Sequence, residues 1–156
     1  MQNSLFYNRI RNKDAKKFIE KIPSNIKLKC KIRIIEKGKI VVLKGNDIEN
    51  IYVSCQGKMQ VRNEFENGFV YSFASINPIA YIGVMEIMAN KQNYSSTLQT
   101  STECIILEIP KWDFIEWITS DQELTLEVLH FVSKSMYEQS LKTGEDRKST
   151  RLNSSH

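Results

Sequence analysis

The chain has 156 residues, 41% apolar and 26% charged, enough for one domain with its own core and too mixed for wholesale disorder. No apolar run approaches the ~18 residues of a membrane span, and the N-terminus lacks a signal peptide's apolar core. Cys30, Cys55 and Cys104 are scattered, with no Cys-x-x-Cys pair; such a set predicts reduced, mostly buried thiols in a cytoplasmic protein, without metal or disulfide.

The formal net charge of +4 hides an asymmetry. Residues 1–45 carry thirteen Lys or Arg against three Asp or Glu, whereas residues 46–145 carry six against fourteen. A basic segment can serve nucleic acid. The alternation Lys27-Leu28-Lys29-Cys30-Lys31-Ile32-Arg33-Ile34 is better read as a half-buried strand with a solvated face.

In chain order, apolar residues at Ala15, Phe18, Ile19 and Ile22 predict a short amphipathic helix, ended by Pro23-Ser24-Asn25. Strands follow over Ile26–Glu36, Ile40–Leu43 and Ile51–Cys55, separated by Lys37-Gly38 and Lys44-Gly45-Asn46-Asp47. Beyond Gln56-Gly57, Met59–Asn63 and Phe69–Phe73 flank a hairpin turn at Glu66-Asn67-Gly68. Tyr94–Thr100 and Cys104–Ile109 make a later pair. Short strands at this spacing predict a sandwich, roll or barrel.

From Pro110 the period changes. Trp112–Ile118 reads as one helix, and Ser120 with Glu123 forms a capping box for a longer one. The longer helix carries the stripe Leu124, Val128, Leu129, Val132 and Met136, whose natural partner is a second copy of itself over residues 121–142. Asp146–His156 matches, residue for residue, the in-frame translation of a common sequencing adapter. It is treated as a non-native tail, and the natural gene is expected to continue past codon 145.

Between the strands lies the most informative stretch, residues 82–98. Gly83 opens a short helical run, and a loop returns through Tyr94-Ser95-Ser96-Thr97. Backbone N–H groups at a helix start can form an anion site, and tight phosphate binding adds an Arg.

The glycine-punctuated strands, the Gly83 cassette, Cys104–Ile109 followed by Phe114 and the long helix together resemble the cyclic nucleotide-binding domain family over about residues 10–143. The likeness is to the effector half of catabolite-activator (Crp/Fnr) type transcription regulators. It implies a mainly β fold with flanking helices: a jelly-roll-like β-roll (a double-stranded β-helix) of about eight short strands with a C-terminal dimerisation helix. The segments implied are 1–22 helical, 23–110 β-roll, 111–145 hinge and dimerisation helices and 146–156 tail.

In that family a Glu after the cassette glycine binds the ribose 2′-hydroxyl, and an Arg at the far end pairs with the cyclic phosphate. A Thr-Ser pair on the long helix contacts the base. Here these positions hold Val84, Tyr94 and Gln139-Ser140, while Gly83 and Ser95 match. Glu86, two residues along the turn, faces elsewhere and reads as solvated or capping. Two lost charge-assisted bonds remove on the order of 3–6 kcal/mol, about 10²–10⁴ in affinity. The candidate ligand set is Gly83, Val84, Met85, Tyr94, Ser95, Ser96, Gln139 and Ser140; the cassette would bind a different ligand or none, and its apolar, Tyr-lined pocket suits a neutral or aromatic effector better than a cyclic phosphate.

The expected molecule is therefore a sensor and dimerisation domain, with no enzymatic role, no cofactor and no membrane partner, meeting DNA only through a C-terminal module absent here. Two alternatives stay open: a working cyclic-nucleotide receptor using the remaining N–H groups and Ser95, and a stand-alone interaction module. Walker-type, Gly-x-Ser-x-Gly and His-x-Glu motifs are missing, and His130 on the long helix reads as structural.

Overall fold

A computed structural model of the chain describes residues 4–64 and 70–154. Three short helices lead in: α1 (Ser4–Tyr7), α2 (Lys13–Lys21) and α3 (Ser24–Lys27). Eight strands follow, β1 (Lys31–Ile35), β2 (Ile40–Val42), β3 (Asn50–Gln56), β4 (Met59–Glu64), β5 (Val70–Ile76), β6 (Ala80–Ile82), β7 (Thr97–Thr100) and β8 (Cys104–Pro110). Helix α4 (Val84–Met88) separates β6 from β7, and α5 (Lys111–Ser120) and α6 (Gln122–Ser154) close the chain. The turn at Glu66-Asn67-Gly68 lies outside the described residues.

The strands form two antiparallel four-stranded sheets, β1-β8-β3-β6 and β2-β7-β4-β5. This is the jelly-roll architecture that the family resemblance implied, within the sandwich, roll or barrel class that the strand spacing predicted. In the first sheet β8 pairs with both β1 and β3, bringing Lys31 opposite Glu108 and Tyr52 opposite Glu108. Residues 104–109 of β8 are buried without alternation, the pattern of a strand covered on both faces. Helices α2 and α5 supply part of that cover: Phe18 meets Trp117 at 5.2 Å between ring centroids and Tyr81 at 5.7 Å. At the fold's edge, β1 exposes Lys31 and Arg33 while burying Ile32, so the basic alternation is a solvated strand face.

Four expectations need correction. Residues 26–36 are not one strand. Ile26 and Lys27 donate to the Pro23 carbonyl, which winds Ser24–Lys27 into a helical turn and delays β1 to Lys31. The cassette's return stretch becomes a strand only at Thr97, because Asn93 and Tyr94 are bonded instead to the turn at 45–47. β6 has no counterpart in the sequence reading; at three residues it is too short to show a period. Finally, α6 is capped by Asp121, whose carboxylate accepts from Leu124 N–H at 3.2 Å. Ser120 instead closes α5, donating its hydroxyl to the Glu116 and Trp117 carbonyls.

The chain divides into two compact units, Met1–Ser120 and Asp121–His156. In the second, α6 continues past residue 142 to Ser154. Leu124 and Val128 are buried in the single chain, whereas Leu126, Leu129, Met136, Tyr137 and Leu141 are exposed. The apolar stripe read from sequence therefore splits: its first members are already covered, and the free apolar surface begins at Leu126.

All three cysteines are free and buried. Burial pushes the Cys30 thiol up to about 11 and Cys55 to about 12, so both sit in the unreactive thiol form. Among the described residues no helix is long and apolar enough to cross a membrane.

Candidate functional site

The cassette is built from β6, α4 and the loop 89–96. Gly83 precedes α4 with φ +98°, a conformation that glycine adopts without Cβ strain. A Cβ there would lie 3.0 Å from Ile51 Cδ1 and 3.4 Å from Tyr94 Cε1. Glycine is thus required twice, for the turn and for the close approach of the Tyr94 ring. Val84 follows with 0% exposure, facing the core. Met85 is 43% exposed.

The return loop is zipped to the turn between β2 and β3. Gly45 N–H donates to Tyr94 O at 2.8 Å, Tyr94 N–H to Asn46 O at 3.0 Å and Ile48 N–H to Gln92 O at 2.9 Å. Asn93 Nδ2 reaches both Gly45 O and Asp47 Oδ1. These bonds fix Tyr94, which is only 6% exposed. Its hydroxyl donates to the Asn50 carbonyl at 2.7 Å. Burial, reinforced by the Tyr52 phenol and the Glu86 and Glu108 carboxylates, raises the Tyr94 pKa well above the ordinary phenol value. The position that would hold a cationic fork therefore holds a neutral ring with its one donor already used.

Glu86 corrects the sequence reading. It does not face away: its Oε2 accepts from Ser95 N–H at 3.4 Å. A carboxylate of the chain thus lies on a backbone donor at the far end of the cassette. Glu108, 8% exposed on β8 and paired with Arg33 at 3.4 Å, adds a second buried-side negative charge. Glu108 escaped notice in the sequence because it interrupts an apolar strand singly, without a motif around it.

Of the predicted ligand set, the structure gathers Gly83, Val84, Tyr94 and Ser95 around one loop. Ser95 and Ser96 carry hydroxyls with no partner among the described residues. Gln139 and Ser140 belong to the second unit, where Ser140 Oγ donates to Met136 O at 2.9 Å.

Beside the cassette opens a cleft of about 330 Å³, bounded by Ile40–Leu43, Asp47, Glu49, Tyr52 and Tyr94. Of the predicted ligand residues only Tyr94 lines it. The others were hidden in the sequence because Asn46-Asp47 reads as turn chemistry and Ile40–Leu43 as strand.

A family profile described as the cyclic nucleotide-binding domain matches residues 32–121, more than half of the chain. The chain belongs to the cyclic nucleotide-binding domain family. Among solved structures, a transcriptional regulator from Thermotoga maritima is similar at 27% identity and TM-score 0.64, over 72% of this chain and 87% of that one. The sensor domain of the transcriptional regulator DNR from Pseudomonas aeruginosa aligns at 14% identity and TM-score 0.59, over 72% and 75%. The catabolite activator protein of Thermus thermophilus aligns at 13% identity and TM-score 0.63, over 87% of this chain and 60% of its own. The last two show the shared fold alone. Comparison with curated proteins finds no match.

Proposed function

We propose that this chain is the effector-sensing and dimerisation part of a Crp/Fnr-type transcription regulator, cytoplasmic and non-catalytic, whose effector is not cyclic AMP. One observation carries the reading. Gly83 turns the chain into α4, but the two positions where the family carries charge hold a fully buried Val84 and a Tyr94 whose hydroxyl is bonded to Asn50. The Glu86 carboxylate on Ser95 N–H opposes a second anion at the same donor. The apolar residues left exposed along α6 favour pairing with a second copy.

In this reading residues 1–22 are the N-terminal helical segment, 23–110 the β-roll, 111–145 the hinge and dimerisation helices and 146–156 an adapter-derived tail. DNA contact belongs to a module encoded beyond position 145. The Thermus catabolite activator, of which the alignment covers 60%, supports the expectation of further chain. The test is to read the genomic copy. It should continue for roughly 60–80 codons, about one small DNA-binding module, with net basic charge and two helices joined by a tight turn. A stop codon directly after position 145 would leave the stand-alone interaction module instead.

A further inference from the structure

One end of the roll gathers lysines that the chain does not neutralise. Gly38 N–H donates to Thr100 O, Lys39 N–H to Thr100 Oγ1 and Thr100 N–H back to Lys39 O, each at 2.9 Å. Lys58 N–H donates to Thr102 Oγ1 at 3.0 Å, and Ser101 N–H to Lys58 O at 2.8 Å. These bonds tie together the turn before β2, the turn before β4 and the turn after β7. β2 and β4 flank β7 in their sheet, so the backbones of Lys39 and Lys58 lie about 10 Å apart, two strand spacings. Arg11 N–H donates to Gln56 Oε1 at 2.7 Å, which brings a further cation to the same end.

Lys37, Lys39, Lys58 and Arg11 are exposed, and none has an ion pair or side-chain hydrogen bond among the described residues. The carboxylates of these turns are Glu36 and Glu103, and Glu103 is taken by Arg9 at 3.0 Å. Cations therefore outnumber carboxylates here. The cassette end is balanced, with Asp47, Glu49 and Glu86 beside Lys44, Lys91 and Lys111. The excess belongs to one end of the roll, on a framework of turns fixed by backbone bonds.

Lysines present point charges without the planar fork that selects a particular anion. Gly38, Ser101 and Thr102 stand beside them, where the core of a protein interface would place an aromatic anchor. An array of phosphates needs neither fork nor anchor. We infer that this end of the roll docks on the phosphate backbone of duplex DNA, adding sequence-independent contacts to those of the module encoded beyond position 145. The inference rests on the reading of the chain as part of a transcription regulator.

The test uses the full chain and a labelled duplex of arbitrary sequence, about 30 base pairs long, with binding followed by anisotropy between about 20 and 200 mM salt. The triple variant Lys37→Gln, Lys39→Gln, Lys58→Gln should flatten the plot of log affinity against log salt by about 2 to 3 units and weaken low-salt binding at least about tenfold. The charge-matched control Lys44→Gln, Lys91→Gln, Lys111→Gln, at the cassette end, should leave that slope within about one unit of the parent. Both variants should melt with the parent, and amide shifts on adding DNA should concentrate in residues 36–39, 57–58 and 100–103. No binding by the parent at low salt, equal losses in the two variants, or poly-glutamate binding as tightly as the duplex would overturn the inference. Those outcomes leave the sensor reading untouched, because it fails on different results: micromolar cyclic-AMP binding, or a gene that stops at codon 145.

Discussion

In the proposed reading, two side chains, at positions 84 and 94, separate this chain from a nucleotide receptor. Val84 is part of the core and Tyr94 is locked to Asn50, so restoring the missing chemistry requires charge at both places and removal of the competing carboxylate. The triple variant Val84→Glu, Tyr94→Arg, Glu86→Gln should bind cyclic AMP at least about tenfold tighter than the double variant that retains Glu86, since a charge-assisted bond contributes roughly 1.5–3 kcal/mol. Equal affinities would show that Glu86 does not compete for the Ser95 donor. Tyr94 also marks the pH response. Its pKa is raised above the ordinary value of 10.0, chiefly by burial. The neutral phenol's contribution is then complete below pH about 10 and is lost as pH rises through the folded-state value. In Tyr94→Phe the alkaline fall in stability, followed by urea unfolding from pH 9 upward, should be smaller than in the parent. An identical profile would contradict that role.

Elements were legible where a period ran long enough. The helix from Lys13 to Lys21 and the strand from Asn50 to Gln56 follow the apolar spacing, and β8 announces itself as an apolar run broken only by Glu108. The failures come from local bonds that pattern does not encode. Pro23 carbonyl contacts wind α3 out of an apparent strand, and Asp121 takes the cap that Ser120 seemed to hold. The long helix shows the same limit, because spacing locates its apolar residues but not which of them the chain already covers. Since Leu124 and Val128 are buried, a paired seam must use Leu129 and Met136, 57% and 58% exposed and seven residues apart. Glu at both positions should convert a dimer into a monomer in sedimentation velocity at tens of micromolar, about the range where weak dimers report. A parent chain that sediments as a monomer would remove the dimer from the account.

For the whole molecule, the strand spacing narrowed the fold to a sandwich, roll or barrel, the family resemblance implied the jelly-roll, and the family profile over residues 32–121 agrees with it. The site was only half legible. Sequence located the cassette through Gly83 and Tyr94. It could not show that Glu86 folds back onto Ser95, or that the turn at Asp47 and the start of β3 form a cleft, because both depend on contacts across the roll. Fold alone does not settle what such a roll senses, and two of the solved neighbours share only the fold at 13–14% identity. The separation of ligand chemistry from fold is the central claim, and calorimetric titration of the unmodified chain with cyclic AMP tests it most directly. A dissociation constant weaker than about 100 µM is predicted from the two missing charge-assisted contacts; saturable binding at a few micromolar, on the same scale, would contradict it.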